Sequence, residues 1–227
     1  MRAGSPGPGL RAGNPGPGLR AGSPEPGTKA GSLESGINAG SPKPRMWEDT
    51  GHGRPGARRA GTPVVLALGS NLGDRLAHLQ AAVDTLCAGP GLDCAAVSPV
   101  YETAAVGGPA QPDYLNAVLV AVTSLPARAV LDRAQAAEAA RRRVRQQRWG
   151  PRTLDVDVIV YGDEISADPD LTLPHPRAHE RAFVLAPWHD ADPDAVLPGR
   201  GRVADLLAAA DTAGIRLRDD AGLRCQA

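Results

Sequence analysis

From Pro63 onward the apolar and polar positions alternate in two distinct rhythms. Val64 to Leu68 is a short apolar run bounded by a Gly-Ser-Asn-Leu-Gly-Asp loop, which predicts a strand and a turn. Leu76, Leu79, Ala82, Val83 and Leu86 then recur at helical spacing over residues 75–88, with Asp74 placed to cap the helix and Gly89-Pro90-Gly91 to end it. A strand is predicted over Ala95–Glu102, where Val97, Pro99 and Tyr101 alternate with Ser98, Val100 and Glu102. A polar loop, Thr103–Asp113, precedes a mostly apolar strand over Tyr114–Thr123. Pro126 opens a helix running to about Arg143, with Val130, Leu131, Ala134 and Ala137 as its buried stripe. Thr153–Tyr161 is rich in Val, Ile and Tyr and reads as a strand, with Leu154, Val156, Val158 and Val160 on its apolar side. Asp163-Glu164 is read as a hairpin turn, and residues 203–210 as a short last helix.

Strand–helix–strand–strand–helix–strand is the order of a ferredoxin-like α+β sandwich. It predicts an antiparallel sheet with the helices packed on one face and the other face free for a ligand. The domain is expected over residues 63–210, with a loosely ordered tail over 211–227.

The first 62 residues break this pattern. A nine-residue unit starting at Arg2 recurs at Arg11 and, more weakly, at Arg20, Lys29 and Asn38, each copy carrying at most two large apolar residues. Stacked copies would bury almost nothing. Gly and Pro make up 25 of residues 1–63 without a collagen triplet, the composition of a disordered extension. Charge divides at the same boundary. Residues 1–63 hold nine Lys or Arg against four Asp or Glu; the rest holds 16 against 21, and all 16 basic residues there are arginine. The only lysines, Lys29 and Lys43, lie in the extension, which argues against a P-loop, whose Gly-rich turn needs a lysine. Cys87, Cys94 and Cys225 show no metal-type spacing and read as ordinary thiols of a reducing cytosol. No apolar run approaches a membrane span, so a cytoplasmic protein with no membrane partner is expected.

Candidate chemistry concentrates after residue 142. Arg143, Arg145, Arg148 and Arg152 lead into a strand on which Asp155 and Asp157 share one face, roughly 7 Å apart at their Cα atoms. Two carboxylates can hold Mg²⁺ together with phosphate oxygens, and guanidinium groups pair with phosphates bidentately. The same pair read alone is also compatible with a solvated sheet edge, and the arginines with a solvated helix end. Tyr114 and Asn116 share a strand face, where the amide can meet the edge of a flat heterocycle. Gln135 and Glu138 lie three apart on neighbouring helix positions. His175, between Pro174 and Pro176, is either a phosphate donor or a loop filler.

Three blocks are more specific than any of these readings: Leu68-Gly-Ser-Asn-Leu-Gly-Asp74, Gly107-Gly-Pro-Ala-Gln-Pro-Asp-Tyr-Leu-Asn116 and Arg148-Trp-Gly-Pro-Arg-Thr-Leu-Asp-Val-Asp157. With Leu171-x-x-Pro-His-Pro176 and Arg181-x-Phe-x-Leu185, they make the chain from about Val64 to Leu207 resemble the 6-hydroxymethyl-7,8-dihydropterin pyrophosphokinases of folate biosynthesis. The resemblance implies transfer of the β,γ-pyrophosphoryl group of ATP to the pterin hydroxymethyl oxygen, with release of AMP. It assigns two Mg²⁺ ions to Asp155 and Asp157. It places the pterin between Tyr114 and Phe183, with Asn116 on its edge and Thr103 and Val106 in the loop beside it. ATP and its phosphates fall to Arg143, Arg145, Arg152, Gln135, His175 and Arg181, with Glu138 lining the nucleotide site and Trp149 in a mobile lid. Ala104 departs from the family, which often has proline there. The expected partners are the two small molecules, with a monomeric protein; a weak partner or acidic surface bound by the extension is left open.

Two other classes fit parts of the pattern. A two-metal nucleotidyltransferase also carries strand aspartates on such a sheet, but this chain has no further domain to hold a template. An RNA-binding module would stack bases on sheet aromatics and carry a basic face. Seven aromatic residues in the whole chain and an acidic ordered part argue against it, so no nucleic-acid partner is expected.

Overall fold

The structure, a computed structural model, describes residues 61–105, 110–141 and 152–225. Nearly all of the extension therefore lies outside the described residues, as do Val106, Arg143, Arg145 and Trp149.

The described chain follows the expected order. Strand β1 (Thr62–Ser70) leads to helix α1 (Arg75–Cys87), strands β2 (Leu92–Val97), β3 (Tyr101–Thr103) and β4 (Tyr114–Thr123), helix α2 (Ala127–Ala140) and strand β5 (Asp155–Tyr161). After these come β6 (Ser166–Asp168), β7 (Leu171–Leu173), a 3-10 turn at Ala178–Glu180, α3 (Ala182–Ala191), β8 (Val196–Leu197), β9 (Gly201–Arg202), α4 (Val203–Ala209) and β10 (Ile215–Leu217). The main sheet is antiparallel and runs β10-β3-β4-β1-β5, with β2 also paired to β4. The interleaving of β4 and β1 between β3 and β5 is the ferredoxin-like arrangement.

One face of the sheet is a closed core. Leu66, Leu68, Leu115, Leu119, Val156 and Val158 meet Leu79, Val83 and Leu86 of α1 and Val130, Ala134 and Ala137 of α2. Each fully buried Leu or Val contributes roughly 1.5–3 kcal/mol relative to an exposed one. Helix α1 starts where Asp74 accepts a hydrogen bond from the Ala77 amide (3.0 Å), the expected cap. Gly73, at φ 65°, makes the turn into it.

Several expectations need amending. The strand predicted over Ala95–Glu102 is two strands, interrupted where Ser98 hydrogen-bonds through both backbone and hydroxyl to Val118. Val160 leaves the apolar side shared by Leu154, Val156 and Val158. A register shift opposite Val65 and Leu66 inserts one residue, so Ile159 and Val160 both join the second core. The turn at Asp163-Glu164 does not fold β6 back on β5, because β5 pairs with β1 and β6 pairs with β7. The second sheet face is not left bare: α3 and α4 cover part of it, packing Val184, Leu185, Trp188 and Val203 on Val65, Val118 and Val120.

The C-terminal segment, expected to be loosely ordered, contributes β10 to the sheet and packs Leu223 and Cys225 against the first core. Cys94 and Cys225 are not free thiols but form a disulfide across a Cα separation of 6.2 Å; Cys87 alone is free. No described helix is long and apolar enough to cross a membrane.

Candidate functional site

At the end of the sheet where β1, β4 and β5 carry their polar residues, Phe183 in the first turn of α3 stands beside the open face. Cross-strand pairing lines up Tyr101, Asn116, Gly69 and Asp155 across four strands, and Val118, Ala67 and Asp157 in the next row. Along the side of β1 that faces α3 the residues shrink from Val65 to Ala67 to Gly69. The loss of side-chain volume opens a cavity of about 310 Å³ over the sheet, floored by Ala67 and Gly69.

Its walls have two characters. At one end stand Tyr114, Asn116, Thr103 and Phe183. The Asn116 side-chain amide, 6% exposed, donates to the Thr103 hydroxyl at 2.8 Å, fixing the plane it presents to the cavity. Phe183 lies under the Arg181 guanidinium, whose carbon is 5.5 Å from the ring centroid. At the other end stand Asp155, Asp157, Arg152, His175 and Arg181. Arg152 pairs with Asp155, and Arg181 reaches Asp157 at 3.4 Å.

Burial and the neighbouring Asp155 charge push the Asp157 carboxyl above the usual carboxylate range, against the pull of His175, Arg181 and Arg152. Burial likewise pulls His175 below the ordinary imidazole value. The Arg177 backbone N–H donates to its Nδ1 (3.2 Å), so the neutral ring carries its proton on Nε2. That nitrogen faces Asp157 at 3.9 Å, and His175 lines the cavity.

The remaining assignments distribute unevenly. Gln135 is exposed on α2 and does not line the cavity. Glu138 is 6% exposed and accepts a hydrogen bond from the Val156 amide (2.9 Å), between the two aspartates, so it holds the strand from beneath. Val106, Arg143, Arg145 and Trp149 lie outside the described residues.

Two residues given no role from the sequence stand out. Asn71 donates to Gln111 Oε1 (2.9 Å) and the Pro112 carbonyl (3.1 Å) and accepts from the Arg152 amide (2.7 Å), joining the loop before Tyr114 to the segment before Asp155. Gln111 itself lines the cavity. The signal was present, since Asn71 follows a strand in a Gly-Ser-Asn turn, but a turn of that composition is ordinary without its distant partners.

Among the described residues no group of three or more His, Cys, Asp or Glu is placed to hold a metal. Asp155 and Asp157 supply two carboxylates opening on one cavity. Such a set suits Mg²⁺ that arrives with phosphate and keeps its waters, because this ion seldom relies on an all-protein cage.

Comparison with known proteins agrees with this geometry. The family described as 7,8-dihydro-6-hydroxymethylpterin-pyrophosphokinase (HPPK) matches residues 65–193. A 2-amino-4-hydroxy-6-hydroxymethyldihydropteridine pyrophosphokinase of Mycobacterium leprae is 49% identical over 173 residues, covering 69% of this chain and 88% of its own. One from Pseudomonas aeruginosa is 41% identical over 152 residues, covering 67% and 94%. A crystal structure of an HPPK-DHPS in complex with substrates shares the fold at TM-score 0.51 and 10% identity, over 66% of this chain. A Plasmodium falciparum HPPK-DHPS does so at 0.50 and 12%, over 68%. The chain spans only 43% and 41% of those two longer chains. By the extent of the family match and the identity of its relatives, this chain belongs to the 7,8-dihydro-6-hydroxymethylpterin-pyrophosphokinase family.

Proposed function

We propose that residues 63–210 transfer the intact β,γ-pyrophosphoryl group of ATP to the hydroxymethyl oxygen of 6-hydroxymethyl-7,8-dihydropterin, a step of tetrahydrofolate synthesis. The observation that carries this reading is the division of one cavity into an aromatic-and-amide end and a carboxylate-and-guanidinium end. A flat heterocycle fits between Tyr114 and Phe183, its polar edge on Asn116. Its hydroxymethyl group then points along the floor toward Asp155 and Asp157.

ATP approaches from the charged end. Arg152 and Arg181, each paired with one aspartate in this structure, exchange those contacts for phosphate oxygens, and His175 donates through Nε2. Asp155 and Asp157 would together hold two Mg²⁺ ions, which when bound offset the phosphate charge that repels the incoming oxygen. The hydroxymethyl oxygen attacks the β-phosphorus, the bond from that phosphorus to the α,β-bridging oxygen breaks, and AMP leaves. The hydroxyl proton passes to Asp157. Arg143, Arg145 and Trp149 are assigned by resemblance to the nucleotide and to a lid that excludes water.

The test is direct. Incubated with ATP, Mg²⁺ and the hydroxymethyl-dihydropterin, the protein should form AMP and pterin diphosphate in equal amounts. AMP with free pyrophosphate, or no AMP at all, would overturn the proposal.

A further inference from the structure

Strand β3 is three residues long, and each of its side chains is tied to a different part of the molecule. The Tyr101 hydroxyl donates to Asp190 of α3 at 2.6 Å, the helix that carries Phe183. Burial and this hydrogen bond push the Tyr101 phenol up to about 12. Thr103 accepts the Asn116 amide. Glu102 points to the opposite face, where it is 9% exposed and meets three guanidinium groups: Arg75 at 2.8 Å, Arg216 at 3.1 Å and Arg218 at 3.1 Å. Burial raises the Glu102 carboxyl, but Arg75 and Arg218 outweigh it and hold the group below the usual carboxylate range.

Two of those arginines belong to the C-terminal segment, which the family match does not reach. There β10 pairs with β3, placing Ile215 opposite Thr103. Without β10, β3 would be the outer strand at this end of the sheet. A strand of three residues has few ladder hydrogen bonds to hold its own register. The segment is anchored beyond β10 as well. Arg218 bonds Asp220, the Arg218 amide donates to the Val100 carbonyl, and Gln80 exchanges two hydrogen bonds with the Arg224 backbone. Cys225 is bonded to Cys94. Arg75 extends the network toward the site by donating to the Asp113 carbonyl, one residue before Tyr114. Asp211 and Gly214 also border a second cavity of about 280 Å³, which shares Thr103, Ala104, Arg181 and Phe183 with the first.

We propose that the C-terminal segment, acting through Arg216 and Arg218 on Glu102, is a positioning element for the heterocycle end of the site. It fixes β3, and β3 fixes both the Thr103–Asn116 pair and, through Tyr101, the helix bearing Phe183. The carboxylate end of the cavity has its own support in Glu138 under β5, while Asn71 ties Arg152 to the Gln111–Pro112 loop. The effect of the segment should therefore fall mainly on one substrate. This inference rests on the pterin reading above.

The experiment compares the full chain with a double variant, Arg216→Ala with Arg218→Ala, and with the corresponding double lysine variant. Loss of these charge-assisted bonds should raise the pterin KM about tenfold, with the ATP KM changed less than about twofold, and lysine should restore part of the loss. Equal rises in both KM values, or a lowered Tm with both KM values unchanged, would overturn it. Hydrogen exchange in the substrate-free protein separates this inference from the functional reading. Amides of Tyr101–Thr103 and Tyr114–Asn116 should exchange faster in the double alanine variant, while those of β5 stay as they were. Unchanged exchange at β3 defeats the positioning role. If the wild-type protein makes no AMP while exchange responds as stated, only the assigned reaction fails.

Discussion

The two faces of one sheet are built from the same strands and meet opposite demands. On the α1/α2 face, alternate residues of β1, β4 and β5 are Leu66, Leu68, Leu115, Leu119, Val156 and Val158, all at most 5% exposed. On the α3 face the residues between them begin the same way, with Val65, Val118 and Val120 under Trp188, and then change to Ala67, Gly69, Asn116, Asp155 and Asp157. The closed face is filled to the end of the strands, while the open face is filled for half its length and emptied for the rest. The lesson is that a site is made here by subtraction. Helical cover ends, floor residues shrink, and the charged groups are held by each other.

The sharpest way to break this comparison is to make matched truncations on β5 and its neighbours. Asp155→Ala and Asp157→Ala should each lower the rate of AMP formation by roughly a hundredfold or more, about 3 kcal/mol in the transition state, by analogy with removing a preorganised charge-stabilising group. Circular dichroism and Tm should stay near wild type, because both side chains face the cavity. Wild-type turnover in both variants would mean that the carboxylates play no part in the chemistry. On the closed face, Leu119→Ala should do the reverse. It should cost about 2–5 kcal/mol of stability in denaturant unfolding, with turnover per folded molecule unaltered.

Much of this contrast was legible in the sequence, and the reason is periodicity. Alternation in β4 and β5 puts Tyr114 with Asn116, and Asp155 with Asp157, on common faces whatever the rest of the chain does. Helical spacing marks α1 and α2 equally well. What resisted reading depends on partners distant in sequence. The register shift near Val158–Ile159 breaks strict alternation in β5, and nothing local announces it. The cover supplied by α3 was hidden because Ala182–Ala191 is apolar on most sides and contains Pro187, so it offers no clear stripe. Glu138 is assigned to the nucleotide site by resemblance, and its hydrogen bond from the Val156 amide, a contact across 18 residues, is one that only the folded chain displays. The β3–β10 pairing and the Cys94–Cys225 bond are longer-range still, and the segment that makes them has the short, polar composition of a tail.

At the aromatic end, Phe183→Ala sharpens the comparison by separating the two substrates. Stacking on an aromatic ring contributes about 1–3 kcal/mol for a flat base, so the pterin KM should rise by about tenfold or more. The ATP KM should move much less. Because Arg181 packs over the same ring, some ATP effect is expected, and it should remain the smaller of the two. Equal effects on both substrates would place the ring outside the heterocycle pocket.

The smallest expected effect tests the claim that the cavity comes from missing side-chain volume. Gly69 has no positive φ, so Gly69→Ala is compatible with its extended backbone. A Cβ there would stand 3.4 Å from Asn116 Oδ1, 3.7 Å from Tyr114 Cδ1 and 3.9 Å from Asp155 Cβ, so the neighbours need shift little. The methyl group would instead occupy the floor between the two ends of the cavity, on the path proposed for the hydroxymethyl group. The pterin KM should rise by a few-fold, roughly the 1 kcal/mol that one added methylene costs in a fitted pocket. Stability should hold or increase slightly, since replacing glycine in a strand lowers the entropy of the unfolded chain. A variant equal to wild type in KM but more stable would show that the floor is not in contact with substrate. The cavity would then owe its shape to where α3 begins and not to the shrinking residues of β1.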